Sequence, residues 1–303
     1  MKTLSWNGVY SAVTTNFTER GELDIPGFGQ SLKAQIAGGV HAIIIGGSLG
    51  ESSTLQHDER IELLIAAKEI VPDTAHVLVN IAEGSTRQAI ALAQRAETSG
   101  ADGLMLLPPM MYKPSEKEVI QFFSDVAQST ALPILVYNNP VDYKIEVTPV
   151  MFDELLKYDN IQAVKESTRD NSNVTRLLNR FGKRLKVLSG VDTIAIDALM
   201  LGAQGWVAGL VNAFPVETVA IYNLIKVGRI SEAIDIHRWF MPLLELDVHP
   251  QLVQNIKLAQ SMTGLGSEYV RPPRQLLEGA ERKRVLEIID GCIASRPDMA
   301  ITI

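Results

Sequence analysis

The chain has 303 residues, and its 28 basic and 35 acidic side chains give a formal net charge of -7. A hydrophobic content of 46% and a charged content of 21% are typical of a globular, enzyme-sized protein. The sequence has no stripe of Lys and Arg residues of the kind that follows a nucleic-acid backbone. It also has no apolar run of the ~18 to 20 residues that a membrane span requires. We therefore expect neither nucleic acid nor a membrane as a partner.

Cysteine usage and the N-terminal residues bear on location. Cys292 is the single cysteine, which excludes intrachain disulfides and Cys-based metal clusters. The first residues lack the apolar core of a signal peptide. We expect a cytoplasmic protein.

Eight short apolar runs predict β-strands, at residues 9–14, 41–45, 76–80, 103–107, 133–137, 161–165, 186–189 and 205–210. Helical spacing lies between them, as at residues 56–71, 86–99, 116–129, 174–181 and 193–201. This alternation requires a mostly parallel sheet covered by helices. Eight units favour a closed (β/α)8 TIM barrel, with a doubly wound open sheet as the alternative, because periodicity alone does not reveal closure.

After residue 226 the strand patterns stop. Three helical segments follow, at residues 231–246, 251–262 and 280–295. We predict a barrel over residues 1–228 and a C-terminal helical extension over residues 229–303.

Lys165 ends the sixth predicted strand. In a barrel of this kind, the active site forms at the carboxyl ends of the strands. A lysine held there in a water-poor pocket has a lowered pKa, which frees its amine to attack a carbonyl. We interpret Lys165 as a Schiff-base nucleophile; the ordinary alternative is a strand-end lysine whose charge reaches water.

Other polar groups follow the remaining strands. The glycine-rich loop at residues 46–51 offers backbone N–H groups and the Ser48 hydroxyl to a carboxylate or an oxyanion, although an ordinary tight turn has the same composition. Tyr137 supplies a phenol one strand from Lys165, suited to proton transfer, or else a buried structural tyrosine. Ser189 and Gly190 indicate either close approach of a ligand or a simple turn.

The sequence gives little support for other kinds of catalysis. The five histidines make no metal-binding pattern, and they are His41, His57, His76, His237 and His249. No Gly-x-Ser-x-Gly motif is present, and Cys292 lies in the last predicted helix. We expect no metal and no organic cofactor.

Four separated motifs are similar to the signature elements of the dihydrodipicolinate synthase / N-acetylneuraminate lyase family. They are Gly47-Ser48-Leu49-Gly50-Glu51-Ser52-Ser53-Thr54-Leu55, Tyr137-Asn138-Asn139-Pro140, Val164-Lys165-Glu166 and Ser189-Gly190. The resemblance covers residues 6–280 and implies a TIM barrel, a homotetramer built as a dimer of dimers, and a 2-oxo acid substrate. It also implies that Lys165 forms the imine, that Tyr137 is the acid/base, and that Ser48 with the Leu49 backbone binds the carboxylate. Further substrate contacts are expected from Gly47, Ser189, Gly190 and Gly209.

Departures from the family pattern argue against a dihydrodipicolinate synthase. The second hydroxyl of the loop is replaced by Leu49, and the arginine that grips the second substrate is replaced by Asp142. Met111, followed by Tyr112, occupies the position of a tyrosine donated across the dimer. The paired acids of the sialic acid branch are half kept, as Asp192.

Three stretches carry a finer resemblance, at residues 137–143, 205–215 and 238–244. They resemble a branch containing Δ1-pyrroline-4-hydroxy-2-carboxylate deaminases, which act on a cyclic 2-imino acid. Three alternatives share its chemistry: an aldolase or dehydratase for a 2-oxo-sugar acid or 4-hydroxy-2-oxoglutarate, an N-acetylneuraminate lyase, and the synthase itself. A protein that binds a 2-oxo acid without turnover is an alternative of another class. Residues 110–112, 141–143, 192 and 209 are expected to decide specificity.

Overall fold

All eight predicted strands form, and they close into a parallel barrel. A computed structural model describes residues 4–299. The strands are β1 (Gly8–Ala12), β2 (Ala42–Ile45), β3 (His76–Ile81), β4 (Gly103–Leu106), β5 (Ile134–Asn138), β6 (Ile161–Glu166), β7 (Lys186–Ser189) and β8 (Gly205–Ala208). Each strand pairs with the next, and β1 also pairs with β8, with Val9 opposite Trp206. The TIM-barrel prediction is confirmed, and the doubly wound alternative is wrong.

Twelve α-helices are present in the described residues; the first eight lie between strands, and the last four follow β8. They are α1 (Ile25–Ala37), α2 (His57–Ile70), α3 (Thr86–Thr98), α4 (Glu116–Gln128), α5 (Pro140–Tyr143), α6 (Pro149–Leu155), α7 (Ser172–Phe181), α8 (Ala195–Met200), α9 (Pro215–Lys226), α10 (Ile230–Leu244), α11 (Leu252–Met262) and α12 (Gly279–Ala294). A capping box starts α4, where the Ser115 hydroxyl accepts from the Glu118 N–H and the Glu118 carboxylate accepts from the Ser115 N–H. The strands are buried on both faces, which explains why they are continuous apolar runs.

Three helices after α9 form the predicted C-terminal extension. Trp239 on α10 donates its indole N–H to the Cys292 carbonyl on α12 at 3.0 Å, and its ring packs edge-on against Phe214, which precedes α9. The division into a barrel domain (residues 1–228) and a helical extension (residues 229–303) stays a prediction. Residues 1–3 and 300–303 lie outside the described part of the chain. Within residues 4–299, no helix is both long and apolar enough to cross a membrane.

Candidate active site

Lys165 and Tyr137 are neighbours on adjacent strands. In the β5–β6 ladder Tyr137 is paired with Lys165, and the next residues, Asn138 and Glu166, are paired in turn. Because side chains alternate along a strand, the first pair shares one face and the second pair shares the other. The Lys165 ammonium lies 4.1 Å from the centre of the Tyr137 ring. The register therefore brings the predicted nucleophile and the predicted acid/base together.

Burial sets the protonation of both groups. It lowers the pKa of Lys165, although the carboxylates of Asp247, Asp192 and Asp142 and the Tyr143 phenol favour the charged form. Burial also raises the pKa of Tyr137 to about 12, so that the phenol keeps its proton at neutral pH. A neutral amine beside a protonated phenol is suited to attack on a carbonyl carbon.

Gly190 makes room for the lysine side chain. A Cβ atom at this position would lie 2.1 Å from Ser167 Oγ and 2.7 Å from Lys165 Cγ. Both distances are far below van der Waals contact, so only glycine fits without displacing Lys165. The close approach at residue 190, predicted for a ligand, is to the Lys165 side chain.

The loop after β2 supplies the hydroxyl of Ser48. Ser48 Oγ and the Tyr143 hydroxyl form a hydrogen bond, and the Tyr143 ring packs edge-on against Tyr137 at 5.7 Å. Burial raises the pKa of Tyr143 to about 12. The Ser48 and Tyr143 hydroxyl groups are thus hydrogen-bonded to each other, and the Tyr143 ring packs against that of Tyr137, beside Lys165.

A buried ion pair fixes the end of this loop. Glu51 has a left-handed backbone (φ 58°) and is wholly buried. Its carboxylate accepts from the ammonium of Lys257 on α11 at 2.8 Å and from the Arg271 N–H at 3.0 Å. The C-terminal extension therefore helps to hold Ser48 in place.

Three carboxyl groups are close enough to Lys165 to act on its charge. Asp192 is wholly buried and accepts from the Trp206 indole at 2.9 Å and from the Leu210 N–H at 2.8 Å. Asp247 is half-buried in the cavity, while Asp142 is exposed at the mouth. Within the described residues, no group of three or more His, Cys, Asp or Glu is arranged to hold a metal ion.

The strand ends enclose a cavity of about 550 Å³. Eight predicted site residues line it, and they are Lys165, Tyr137, Ser48, Gly47, Leu49, Asp142, Gly190 and Gly209. Two other predicted site residues, Asp192 and Ser189, do not line the cavity. Asp192 is covered by its hydrogen-bond donors, and Ser189, paired with Glu166, is on the strand face that points away from Lys165.

Met111 and Tyr112 do not line the cavity of their own chain, and a role for position 111 across a dimer stays a prediction. Met111 is 81% exposed and lies over Gly84, where a Cβ atom would meet Met111 Cγ at 2.9 Å. Tyr112 is 53% exposed and donates to Glu118 at the start of α4. The loop after β4 thus directs both side chains away from Lys165.

Several lining residues were given no catalytic role by sequence reasoning. Tyr143 was expected only to affect specificity, within residues 141–143; it follows Tyr137 by six positions, on a short helix whose first turn is capped by Asn139, and this second tyrosine was the available signal. Arg169 lies at the mouth, 3.9 Å from Asp142. Asp247 belongs to a 3₁₀ turn between α10 and α11, and nothing in its local sequence indicates that it reaches the barrel.

Comparisons with known proteins agree with this geometry. The sequence model of the "Dihydrodipicolinate synthetase family" matches residues 5–291. A 4-hydroxy-tetrahydrodipicolinate synthase of Methanococcus aeolicus is 32% identical over 92% of this chain and 96% of its own length. A relative with the same name from Thermosipho africanus is 31% identical over 95% of this chain and 99% of its own length.

Solved structures give the same result. The 4-hydroxy-tetrahydrodipicolinate synthase of Methylacidiphilum fumariolicum superposes with a TM-score of 0.89 at 30% identity, covering 95% of this chain and 97% of the other. With a family match over nearly the whole chain and the same barrel, the protein belongs to the dihydrodipicolinate synthase family, whose members are class I lyases that use a lysine Schiff base.

Proposed function

We propose that this enzyme is a Δ1-pyrroline-4-hydroxy-2-carboxylate deaminase that uses Lys165 as its Schiff-base lysine. The observation on which the proposal rests is the acidic surroundings of that lysine, with Asp142 at the mouth of the cavity and Asp192 buried behind its wall. Arg169, at the mouth, already lies beside Asp142. Such a site favours a substrate with one carboxylate and an uncharged remainder, because a second anion would be repelled.

Binding places the substrate carboxylate at the loop of Ser48 and Leu49. Glycines on either side of these residues let the backbone approach a ligand closely. The imine carbon C2 then lies between this loop and Lys165. Tyr137 and Tyr143 lie beside the Ser48 loop and Lys165, so their hydroxyl groups can transfer protons to and from the substrate.

The reaction proceeds through a ring-opened imine. The Lys165 amine adds to C2, the ring nitrogen takes up a proton, and the C2–N bond breaks to leave a free amine on C5. Loss of a proton from C3 gives an enamine, whose electrons expel the 4-hydroxyl as water. The unsaturated iminium tautomerises to an imine at C5, and hydrolysis of both imines releases ammonia and 2-oxoglutarate semialdehyde and frees Lys165.

The names of the relatives favour a second candidate, 4-hydroxy-tetrahydrodipicolinate synthase. That activity requires an anionic aldehyde to enter past Asp142, where the family pattern expects an arginine. An aldolase or dehydratase acting on a linear 4-hydroxy-2-oxo acid would use the same Lys165 and Tyr137. For each of these activities we propose a cytoplasmic homotetramer, as the family resemblance implies.

A product assay separates the candidates. Wild-type enzyme is offered the hydroxypyrroline carboxylate, 4-hydroxy-2-oxoglutarate, N-acetylneuraminate, and pyruvate with aspartate semialdehyde, and ammonia and pyruvate are measured. We expect ammonia from the first substrate. Release of pyruvate alone, or consumption of aspartate semialdehyde, would refute the deaminase.

Borohydride trapping tests the nucleophile independently. Pyruvate plus borohydride should give one covalent adduct, located by mass spectrometry on Lys165 and absent from Lys165→Ala. Lys183→Ala, which removes an exposed lysine on the barrel exterior, is the matched control and should form the adduct normally. An adduct that survives Lys165→Ala would assign the imine to another residue, and no adduct in the wild type would favour a protein that binds without turnover.

A further inference from the structure

Asp247 reaches the active site from the C-terminal extension. It lies in the 3₁₀ turn Glu245–Val248, yet it lines the same cavity as Lys165. A Cβ atom built on Gly209, just after β8, would be 2.3 Å from Asp247 Oδ1. The carboxyl group therefore rests on the backbone of residue 209, and the glycine there is what admits it.

Asp247 and Tyr137 flank the expected path of the substrate on different sides. β6 carries Lys165, and β2, which precedes Ser48, is the strand opposite it in the closed barrel, so a substrate joined to Lys165 with its carboxylate at the Ser48 loop spans the cavity between these strands. Tyr137 on β5 lies to one side of that line, and Gly209, which follows β8, lies to the other. Asp247 is the carboxyl group of the cavity lining on the β8 side, beside the carbon chain of such a substrate.

The surroundings of Asp247 favour its protonated form. Burial and the neighbouring charges of Asp192 and Asp142 raise its pKa well above the usual range, while Lys165 and the Asp192 N–H oppose this shift. Asp247 in turn contributes to the raised pKa of Tyr137. When the positive charge on the lysine nitrogen is neutralised in the enamine, the main cation opposing protonation disappears, so the carboxyl holds its proton most firmly at that stage.

We propose that Asp247 is the catalytic acid that protonates the departing 4-hydroxyl, an inference that rests on the proposed function. The enamine nitrogen donates its lone pair to reform the iminium, the C2=C3 bond shifts to C3=C4, and the C4–O bond breaks. Its electron pair leaves on oxygen, which takes the Asp247 proton and departs as water. The Asp247 carboxylate then recovers a proton from solvent.

Tyr137 is less suited to this step. Its pKa of about 12 makes the phenol a weak acid at neutral pH, and its hydroxyl accepts a hydrogen bond from Asn139 at 3.1 Å on the β5 side. A carboxyl group with a raised pKa is a stronger proton donor near neutral pH. The substrate class that fits is therefore a 2-imino or 2-oxo acid with a hydroxyl on C4.

Asp247→Asn tests the assignment, because it keeps the shape of the side chain and removes the acid. Three steps are measured: borohydride trapping of the pyruvate imine, exchange of pyruvate C3 hydrogens with deuterium, and elimination from the 4-hydroxy substrate. We expect normal trapping, exchange within a few-fold of wild type, and elimination slowed by about 10²- to 10⁴-fold. Asp247→Glu should regain part of the elimination, and Glu245→Gln, an exposed change on the same turn, should match wild type.

Each other outcome has a distinct meaning. Wild-type elimination rates in Asp247→Asn, or equal losses of exchange and elimination, would overturn the role of Asp247 and leave the deaminase standing. A second outcome is that the wild type dehydrates a linear 4-hydroxy-2-oxo acid but releases no ammonia from the pyrroline, and that Asp247→Asn loses this dehydration. The deaminase proposal would then be refuted, and the role of Asp247 as the acid would be supported. A wild type that eliminates from neither substrate refutes both.

Discussion

Replacing Lys257 by methionine removes the buried cation that holds the anion-binding loop. The Lys257 ammonium donates to Glu51 Oε1 at 2.8 Å, to the Thr15 carbonyl at 2.9 Å and to the Tyr269 carbonyl. Without it, the Glu51 carboxylate stays buried with the Arg271 N–H at 3.0 Å and Arg274 at 3.8 Å. Removing one member of a buried ion pair costs about 3 to 5 kcal/mol, and we expect about 3 because Glu51 keeps these two contacts.

The loss should be visible in thermal unfolding. The unfolding entropy of a chain of this length is about 0.6 kcal/mol/K, so a loss of about 3 kcal/mol lowers Tm by about 5 °C. Ser48 is three residues from Glu51, and a loosened loop should also raise the KM for the 2-oxo or 2-imino acid. Circular dichroism melts and steady-state kinetics measure the two effects.

Two further variants make the argument refutable. Lys157→Met breaks an exposed pair with Glu154 and should cost about 1 kcal/mol or less. Adding Glu51→Gln to Lys257→Met removes the unpaired charge and should recover part of the lost stability. A Tm for Lys257→Met within 1 °C of wild type, or a double variant less stable than the sum of its parts, would refute the assignment of the pair.

Three other predictions concern the catalytic lysine. Gly190→Ala should abolish borohydride trapping because its Cβ would lie 2.7 Å from Lys165 Cγ. The control Gly291→Ala, where a Cβ meets nothing within 4 Å, should trap normally. Equal trapping in both variants would show that Lys165 can move aside. Tyr143→Phe removes the hydroxyl that bonds Ser48 and should lower kcat by about 10²-fold or more at unchanged Tm, so an unchanged kcat would place the proton relay elsewhere. Because burial lowers the pKa of Lys165, the trapping rate should rise with pH and level off below the ordinary lysine value of about 10.4; a rate still rising at that pH would mean that the amine is not desolvated.

Some of the site could be predicted because it depends on local pattern. Lys165 and Tyr137 end consecutive strands, and alternation along paired strands puts both side chains on one face. The same alternation places Ser189, paired with Glu166, on the other face, which a register assignment would have revealed. The directions of the Met111 and Tyr112 side chains could not be predicted, because the path of a loop depends on what it packs against, here Gly84 and Glu118.

The sequence by itself determined the eight strand–helix units, the lysine at the end of β6 and its phenol on β5. These follow from hydrophobic spacing and from where each apolar run stops, and both are local properties of the chain. Only the tertiary structure decided that β1 closes on β8, that Tyr143 turns back to Ser48, and that Asp247 rests on Gly209. Each of these contacts joins residues far apart in sequence, and packing between distant elements sets their geometry, which no local spacing encodes.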